Sequence, residues 1–295
     1  MQWRRRSLLA GMLALPGWQL AAQTAQPTAA PTPVQAAARV VSLGGSVTEV
    51  VYALGAGDRL VAVDISSLYP EAAHALPKVG YYRDVSVEGI ASLRPDVVLA
   101  SDQAGPPAAL ARLRGLGVAV QVVPDTPSMQ ALRERITRIA RVLSLPQAGQ
   151  ALVARMDAEL AALPELPAAG TWPSALSIMA HGSNIMAAGA GTAADAVLQL
   201  SGVRNVLAAQ KGYRPVSIEA VAARAPDLII TTELSVRAQG GQARFLALPM
   251  LAPLQAAREK RLVVMDDLMY LTVGPRLAQA VTTLREQCAR VLQLA

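Results

Sequence analysis

The chain is poor in the residues that carry most covalent and metal chemistry: its 295 residues hold one cysteine, two histidines and one phenylalanine. The lone Cys288 excludes an internal disulfide and a cysteine metal cluster, and it stands too late in the chain to bear a lipid at a mature first residue. Charged residues are only 16% and aromatic ones 3%, with no basic stripe interleaved with aromatics, which excludes a nucleic-acid footprint. No apolar run approaches the ~20 residues of a spanning helix. The Gly-x-Ser-x-Gly elbow and the His-Glu-x-x-His metal helix are also missing. Ser46, His181 and several aspartates are present, but a hydrolase needs a histidine set on its nucleophile by a third group, and no spacing signals one.

What is abundant is apolar: 53% hydrophobic residues in a chain of this length bury a large core and fill one large or two ordinary domains. The start, Arg4-Arg5-Arg6-Ser7 followed by Leu8-Leu9-Ala10-Gly11-Met12-Leu13-Ala14-Leu15, has the basic head and short apolar middle of a secretory signal. Cleavage is expected near Ala22 to Ala25, and the paired arginines also permit a twin-arginine route. Loss of residues 1–25 removes three arginines and no acids, taking the formal charge from +6 to +3. Residues 26–38, rich in Ala, Thr, Gln and Pro, read as a flexible leader.

The most informative feature is internal. Residues 80–99 recur at 212–230, and at an offset of 131 Tyr82, Arg83, Val85, Ser86, Glu88, Ala91, Pro95 and Asp96 meet identical residues. Each copy reads as a serine cap (Ser86, Ser217), a short helix with a glutamate in its first turn (Glu88, Glu219), a Pro-Asp stop, and an apolar strand buried on both faces. The copies differ in the loop before the helix, where the first has an additional Tyr81, and Asp84 stands where the second has Pro215. Divergence between repeats is expected in the loop that acquires function.

From Arg39 the pattern alternates strand and helix in βαβ fashion. Gly44-Gly45-Ser46 offers backbone N–H groups to a phosphate at a helix start, but it lacks the P-loop lysine and the three-glycine dinucleotide spacing and reads as a tight turn. Over 147–163, Leu152, Val153, Met156, Leu160 and Leu163 fall on one helical face, in a helix of roughly 25 Å. The expected architecture is α/β: two Rossmann-like lobes with parallel sheets, residues 39–146 and 164–295, joined by the single long helix 147–163.

On these residues the chain resembles the periplasmic substrate-binding proteins of iron-complex and cobalamin ABC importers, whose two lobes are joined by one long helix. Gly80-Tyr81-Tyr82-Arg83-Asp84-Val85-Ser86-Val87-Glu88-Gly89 is similar to the haem-binding branch, in which Gly-Tyr-x-Arg-x-x-Ser-x-Glu-Gly supplies an axial tyrosine; Ala187–Ala196 and Val273-Gly274-Pro275-Arg276 also resemble that branch. The resemblance implies a non-enzymatic, monomeric periplasmic protein that captures ferric haem between its lobes and delivers it to an inner-membrane ABC permease dimer. A ferric siderophore or a corrinoid is the alternative ligand within the same class.

The chemistry is consistent with that implication. Ferric iron is a hard acid suited to a phenolate, but free tyrosine ionises only near ~10, so a site must favour the anion. Arg83, two residues beyond Tyr81, is expected to donate a hydrogen bond and charge to the phenolate oxygen. Tyr82 is the competing ligand, although its counterpart Tyr213 lacks an arginine two residues on, and interlobe packing accounts for either tyrosine. The resemblance places a histidine used by some members near His181, which is otherwise a solvent-facing loop residue. Arg237 and Arg244, expected in a loop after strand Leu228–Thr232, are candidates for the propionates; His74 has no site-like surroundings. Glu88 and Glu219 resemble the two carboxylates that dock onto the permease, and either also gains from the dipole of its helix.

Overall fold

The computed structural model describes residues 37–293 apart from 167, 183 and 216. The expected signal sequence and most of the leader lie outside the described residues. Among the described residues there are two large sheets and one two-stranded hairpin. The first contains β1 (Val40–Leu43), β2 (Leu60–Val63), β5 (Val97–Ser101) and β6 (Ala119–Val123) in the order β2-β1-β5-β6, all parallel. Between β2 and β5 a two-residue hairpin, β3 (Gly80–Tyr81) against β4 (Asp84–Val85), stands apart from the sheet.

The second sheet contains β7 (Ser174–His181), β8 (Asn184–Ala188), β9 (Arg204–Asn205), β10 (Tyr213–Arg214), β11 (Leu228–Thr232) and β12 (Leu262–Met265). Its core is parallel as expected, β9 and β11 flanking β7, with β12 beyond β11. One edge departs from the expectation: β8 folds back antiparallel on β7 and β10 pairs antiparallel with β8, so the sheet is mixed. An antiparallel edge on a parallel sheet needs only a tight turn in place of a crossover helix, and here that turn is the loop between the paired His181 and Asn184.

Strand alternation explains how each sheet is buried on both faces. Val40, Val97 and Leu99 enter a central apolar cluster, whereas Val41, Leu43, Val98 and Ala100 enter an outer one with Ile90 and Leu113. In the second sheet Leu228, Ile230 and Val263 face the same central cluster and Ile229 and Leu262 an outer one around Phe245. The central cluster is common to both lobes. It also holds Leu152 and Met156 of the helix Pro146–Ala161 and Leu284 and Cys288 of the C-terminal helix Leu277–Gln293, with Val153, Leu160 and Leu163 packed against it. Among the described residues no helix is long and apolar enough to cross a membrane.

The repeat is visible in three dimensions. The short helices Val87–Ser92 and Ile218–Ala222 precede β5 and β11. Before each Pro-Asp stop the chain takes a positive φ, 45° at Arg94 and 39° at Ala225. The two aspartates then perform one task. Asp96 accepts the backbone N–H groups of Ala38 and Arg39 at 2.9 Å, and Asp227 accepts the backbone N–H and hydroxyl of Ser174 at 2.7 and 2.6 Å, clasping the start of β1 to β5 and that of β7 to β11.

Candidate functional site

The carboxyl ends of the parallel strands in the first lobe carry a polar floor. At the end of β1 the chain turns through Gly44 into the helix Gly45–Ala53. A side chain at Gly45 would put its Cβ 2.5 Å from the Ser66 carbonyl, so close approach requires glycine there. The anion position at this helix start is occupied from within: Asp64 accepts the Gly44 N–H (2.9 Å) and Ser66 Oγ accepts that of Gly45 (3.1 Å). The Gly-Gly-Ser stretch is thus the tight turn read from the sequence. Beside it, Ser46 and Ser101 donate to the two oxygens of Asp125 at 2.8 and 2.9 Å, and the buried Arg135 pairs with Asp125 and reaches the Val273 carbonyl of the second lobe.

Above this floor stands the β3–β4 hairpin, where the two adjacent tyrosines part company. Tyr82 is half-buried and packs against the outer cluster of the first lobe. Burial, Tyr81 and Asp125 together push its phenol well above the usual tyrosine range, against the pull of Arg83. Tyr81 points outward with 39% of its surface exposed, its ring meeting that of Tyr82 edge-on at 4.7 Å. The repeat partner Tyr213 resembles Tyr82: burial pushes it up to about 12, although it bonds Ala194 and Thr192. The tyrosines shared by the repeats are packing residues, and the additional one is the exposed one.

Arg83 lies over the Tyr82 ring, its guanidinium carbon 5.1 Å from the centroid. Its charge also acts on Tyr213 of the second lobe, favouring that phenolate against the larger effect of burial. His181 closes β7 and pairs with Asn184 at the carboxyl end of the parallel strands of the second sheet. Arg237 and Arg244 are both exposed but are not in a loop, as expected from sequence; they lie on the short helices Glu233–Ala238 and Gln242–Leu246. Thr232 caps the first of these by accepting from Ser235, a start signal masked by its place at the end of a buried strand. Arg237 favours the ionised form of Asp267 nearby, but burial dominates and raises that carboxyl. Glu88 and Glu219 occupy first helical turns as expected. Exposed Glu88 pairs with exposed Arg112 at 3.0 Å, while the Glu219 backbone N–H and the Ser217 hydroxyl hold the Glu219 carboxyl below the usual range.

Sequence reasoning missed the seam between the lobes. Glu49, on the helix Gly45–Ala53, is buried against Arg276 at the start of the C-terminal helix region, with oxygen–nitrogen distances of 3.0 and 3.3 Å. Arg276 also reaches Asp266 at 3.4 Å and lies 3.5 Å from the centroid of the Tyr69 ring. A groove of about 780 Å³ opens beside this pair, lined by Tyr52, Tyr69, Arg155, Arg276 and Gln279 among others, and none of the site residues read from the sequence lines it.

Comparison with known proteins places this geometry among others. A family model described as periplasmic binding protein matches residues 40–268. The solved periplasmic heme-binding protein RhuT from Roseiflexus sp. RS-1, in apo form, superposes with a TM-score of 0.80 at 35% identity, covering 86% of this chain and 99% of that one. The periplasmic heme-binding protein BhuT in complex with two hemes gives 0.78 at 40% identity, covering 87% and 99%. A vitamin B12-binding protein of Vibrio cholerae serotype O1 is 31% identical over 201 residues, 68% of this chain and 72% of its own length.

Proposed function

The chain belongs to the periplasmic binding protein family, the substrate-binding components of ABC transporters, and from that premise we propose that it carries ferric haem across the periplasm to an inner-membrane permease. The observation that carries this reading is the separation of the two tyrosines: Tyr82 is packed and shared with the repeat, Tyr81 is additional and exposed. An exposed phenol on a short, anchored hairpin is what an iron ligand requires. The similarity to two heme-binding proteins at 35 and 40% identity supports the same ligand.

In this reading Tyr81 ligates iron as phenolate. Arg83, which lies over the neighbouring Tyr82 ring, is the cation placed to favour the ionised phenol of Tyr81, by a side-chain rotation that brings its guanidinium to the phenolate oxygen. His181 contributes from the carboxyl end of β7, Arg237 meets a propionate, and Glu88 and Glu219 dock onto the permease. Signal-directed export and a periplasmic location accord with the family and the basic, apolar amino terminus.

The test is titration of the purified protein with ferric haem, followed by the Soret band, beside Tyr81→Ala. Saturation at one or two equivalents in the wild type and its loss in Tyr81→Ala is the expected outcome; loss of the phenolate-to-iron charge-transfer band in Tyr82→Phe but not in Tyr81→Phe would reverse the ligand assignment. The B12-binding relative favours one other ligand, a corrinoid. Binding of cyanocobalamin with no haem-dependent Soret band would replace haem with it.

A further inference from the structure

The backbone beside the exposed tyrosine is tied to a buried acid at the end of β2. Asp64 follows β2 and is fully buried, yet among the described residues it has no ion-pair partner; Lys78, whose ammonium its charge favours, bonds instead to the Ala73 carbonyl at 2.7 Å. Five donors converge on its carboxylate. Oδ1 accepts from the Gly44 N–H (2.9 Å) and Ser67 Oγ (2.8 Å); Oδ2 accepts from the Ser66 N–H (2.9 Å), Ser66 Oγ (2.6 Å) and the Tyr82 N–H (3.3 Å). Only an acceptor-only group with lone pairs on two oxygens can satisfy so many donors at once.

Four of those donors belong to the turns at the ends of β1 and β2. The fifth belongs to the hairpin that carries Tyr81. With two residues in each strand that hairpin has little stability of its own, and it is fastened from outside at the residues on either side of Tyr81. The Gly80 carbonyl accepts the Ile65 N–H and the Tyr82 carbonyl accepts the Gly105 N–H, both at 2.9 Å, and the Tyr82 N–H goes to Asp64. Two of the three fasteners are backbone to backbone, so Asp64 is the only side chain among them. We propose that Asp64 is the positioning residue of the ligand site: by fastening the Tyr82 N–H it fixes the backbone at Tyr81 and thereby the place where the Tyr81 oxygen stands. Its consequence for haem rests on the reading given above.

Asp64→Asn tests this because it keeps the shape of the side chain but turns one acceptor into a donor facing donors. Hydrogen exchange of the full chain, resolved at the Tyr82 amide, and ferric haem titration are measured together. Exchange at Tyr82 and the haem Kd are each expected to rise about tenfold with native circular dichroism. Ser67→Ala, which removes a hydroxyl from the other oxygen, is expected to lower the melting temperature without either change. If Asp64→Asn does not fold, Ser66→Ala, which removes the 2.6 Å hydroxyl bond that helps hold Oδ2 in place, is expected to shift both quantities less and in the same direction. Wild-type exchange at Tyr82 in the folded variant overturns the proposal, as does faster exchange with unchanged haem affinity. A wild-type chain that takes up no haem defeats the haem reading alone, and the exchange measurement still decides whether Asp64 holds the hairpin.

Discussion

Replacing Glu49 by alanine removes one half of the ion pair that crosses from the first lobe to the second. The side chains of Glu49 and Arg276 are 3% and 14% exposed, so the pair is nearly water-free. Stripping one partner from such a pair typically costs ~3–5 kcal/mol, because the other charge is left buried. Here Arg276 keeps Asp266 and the face of Tyr69, contacts that return about 1 kcal/mol together. The expected loss is therefore about 2–4 kcal/mol. The converse change, Arg276→Ala, leaves a carboxyl that burial already raises despite its arginine. A group whose folded pKa lies above its unfolded one costs stability as pH rises past the unfolded value, so Arg276→Ala is expected to lose more at pH 8 than at pH 5. Urea unfolding of the wild type, both single variants and the double variant closes the cycle, with an expected coupling of about 2 kcal/mol. Gly274→Ala perturbs the same pair from its other side, since a Cβ there would stand 3.3 Å from the Glu49 carboxyl atoms. Coupling below about 0.5 kcal/mol, the size of an exposed pair, would refute the view that the lobes are joined through a buried ionic contact.

Hydrogen bonds from the Ser174 hydroxyl and backbone, with Arg204 and Arg261, outweigh burial and hold Asp227 below the usual carboxylate range. It therefore contributes stability above pH ~3.9 that is lost as pH falls through its lower folded value; Asp227→Asn should cost about 1–2 kcal/mol at pH 7 and flatten that acid limb in a urea-midpoint series. The double variant Glu88→Ala with Glu219→Ala should titrate with haem like the wild type but weaken binding to the permease and uptake, and normal uptake would return both residues to helix-start stabilisers. His181→Ala should alter the ferric haem spectrum or reduce a stoichiometry of two to one; no change in either would leave His181 without a ligand role.

The repeat was the most legible part of the chain because it encodes its own geometry. A serine cap, a Pro-Asp stop and an apolar run recur with the same consequences, down to the paired positive-φ residues Arg94 and Ala225 and the clasps made by Asp96 and Asp227. The strands of the first sheet and the amphipathic face of Pro146–Ala161 were equally readable from period. The hairpin of β7 and β8 was not, although its two-residue loop beginning with Gly182 was a signal; Asn184–Ala188 is too short and too rich in alanine to read as a strand. The helix Asp267–Leu271 is likewise hard to read from sequence, since five residues leave no room for a period, and only the Asp266 cap announces it. Asp64 and the Glu49–Arg276 pair were out of reach for a different reason. A lone acid at a strand end looks the same whether it collects five donors or none, and the partners of the ion pair are 227 residues apart.

The central apolar cluster has a consequence for how this protein responds to anything it binds. Because residues of both sheets, the connecting helix and the C-terminal helix share one core, neither lobe can shed water-excluded surface while the other stays folded, and the molecule is expected to melt in one cooperative transition. Ligand held by either lobe then raises the melting point of the whole. By linkage, a ligand at a hundred times its Kd adds about 2.7 kcal/mol to that single transition. A thermal shift on the unlabelled chain therefore ranks ferric haem, a ferric siderophore and a corrinoid on one scale, whichever lobe supplies the first contact.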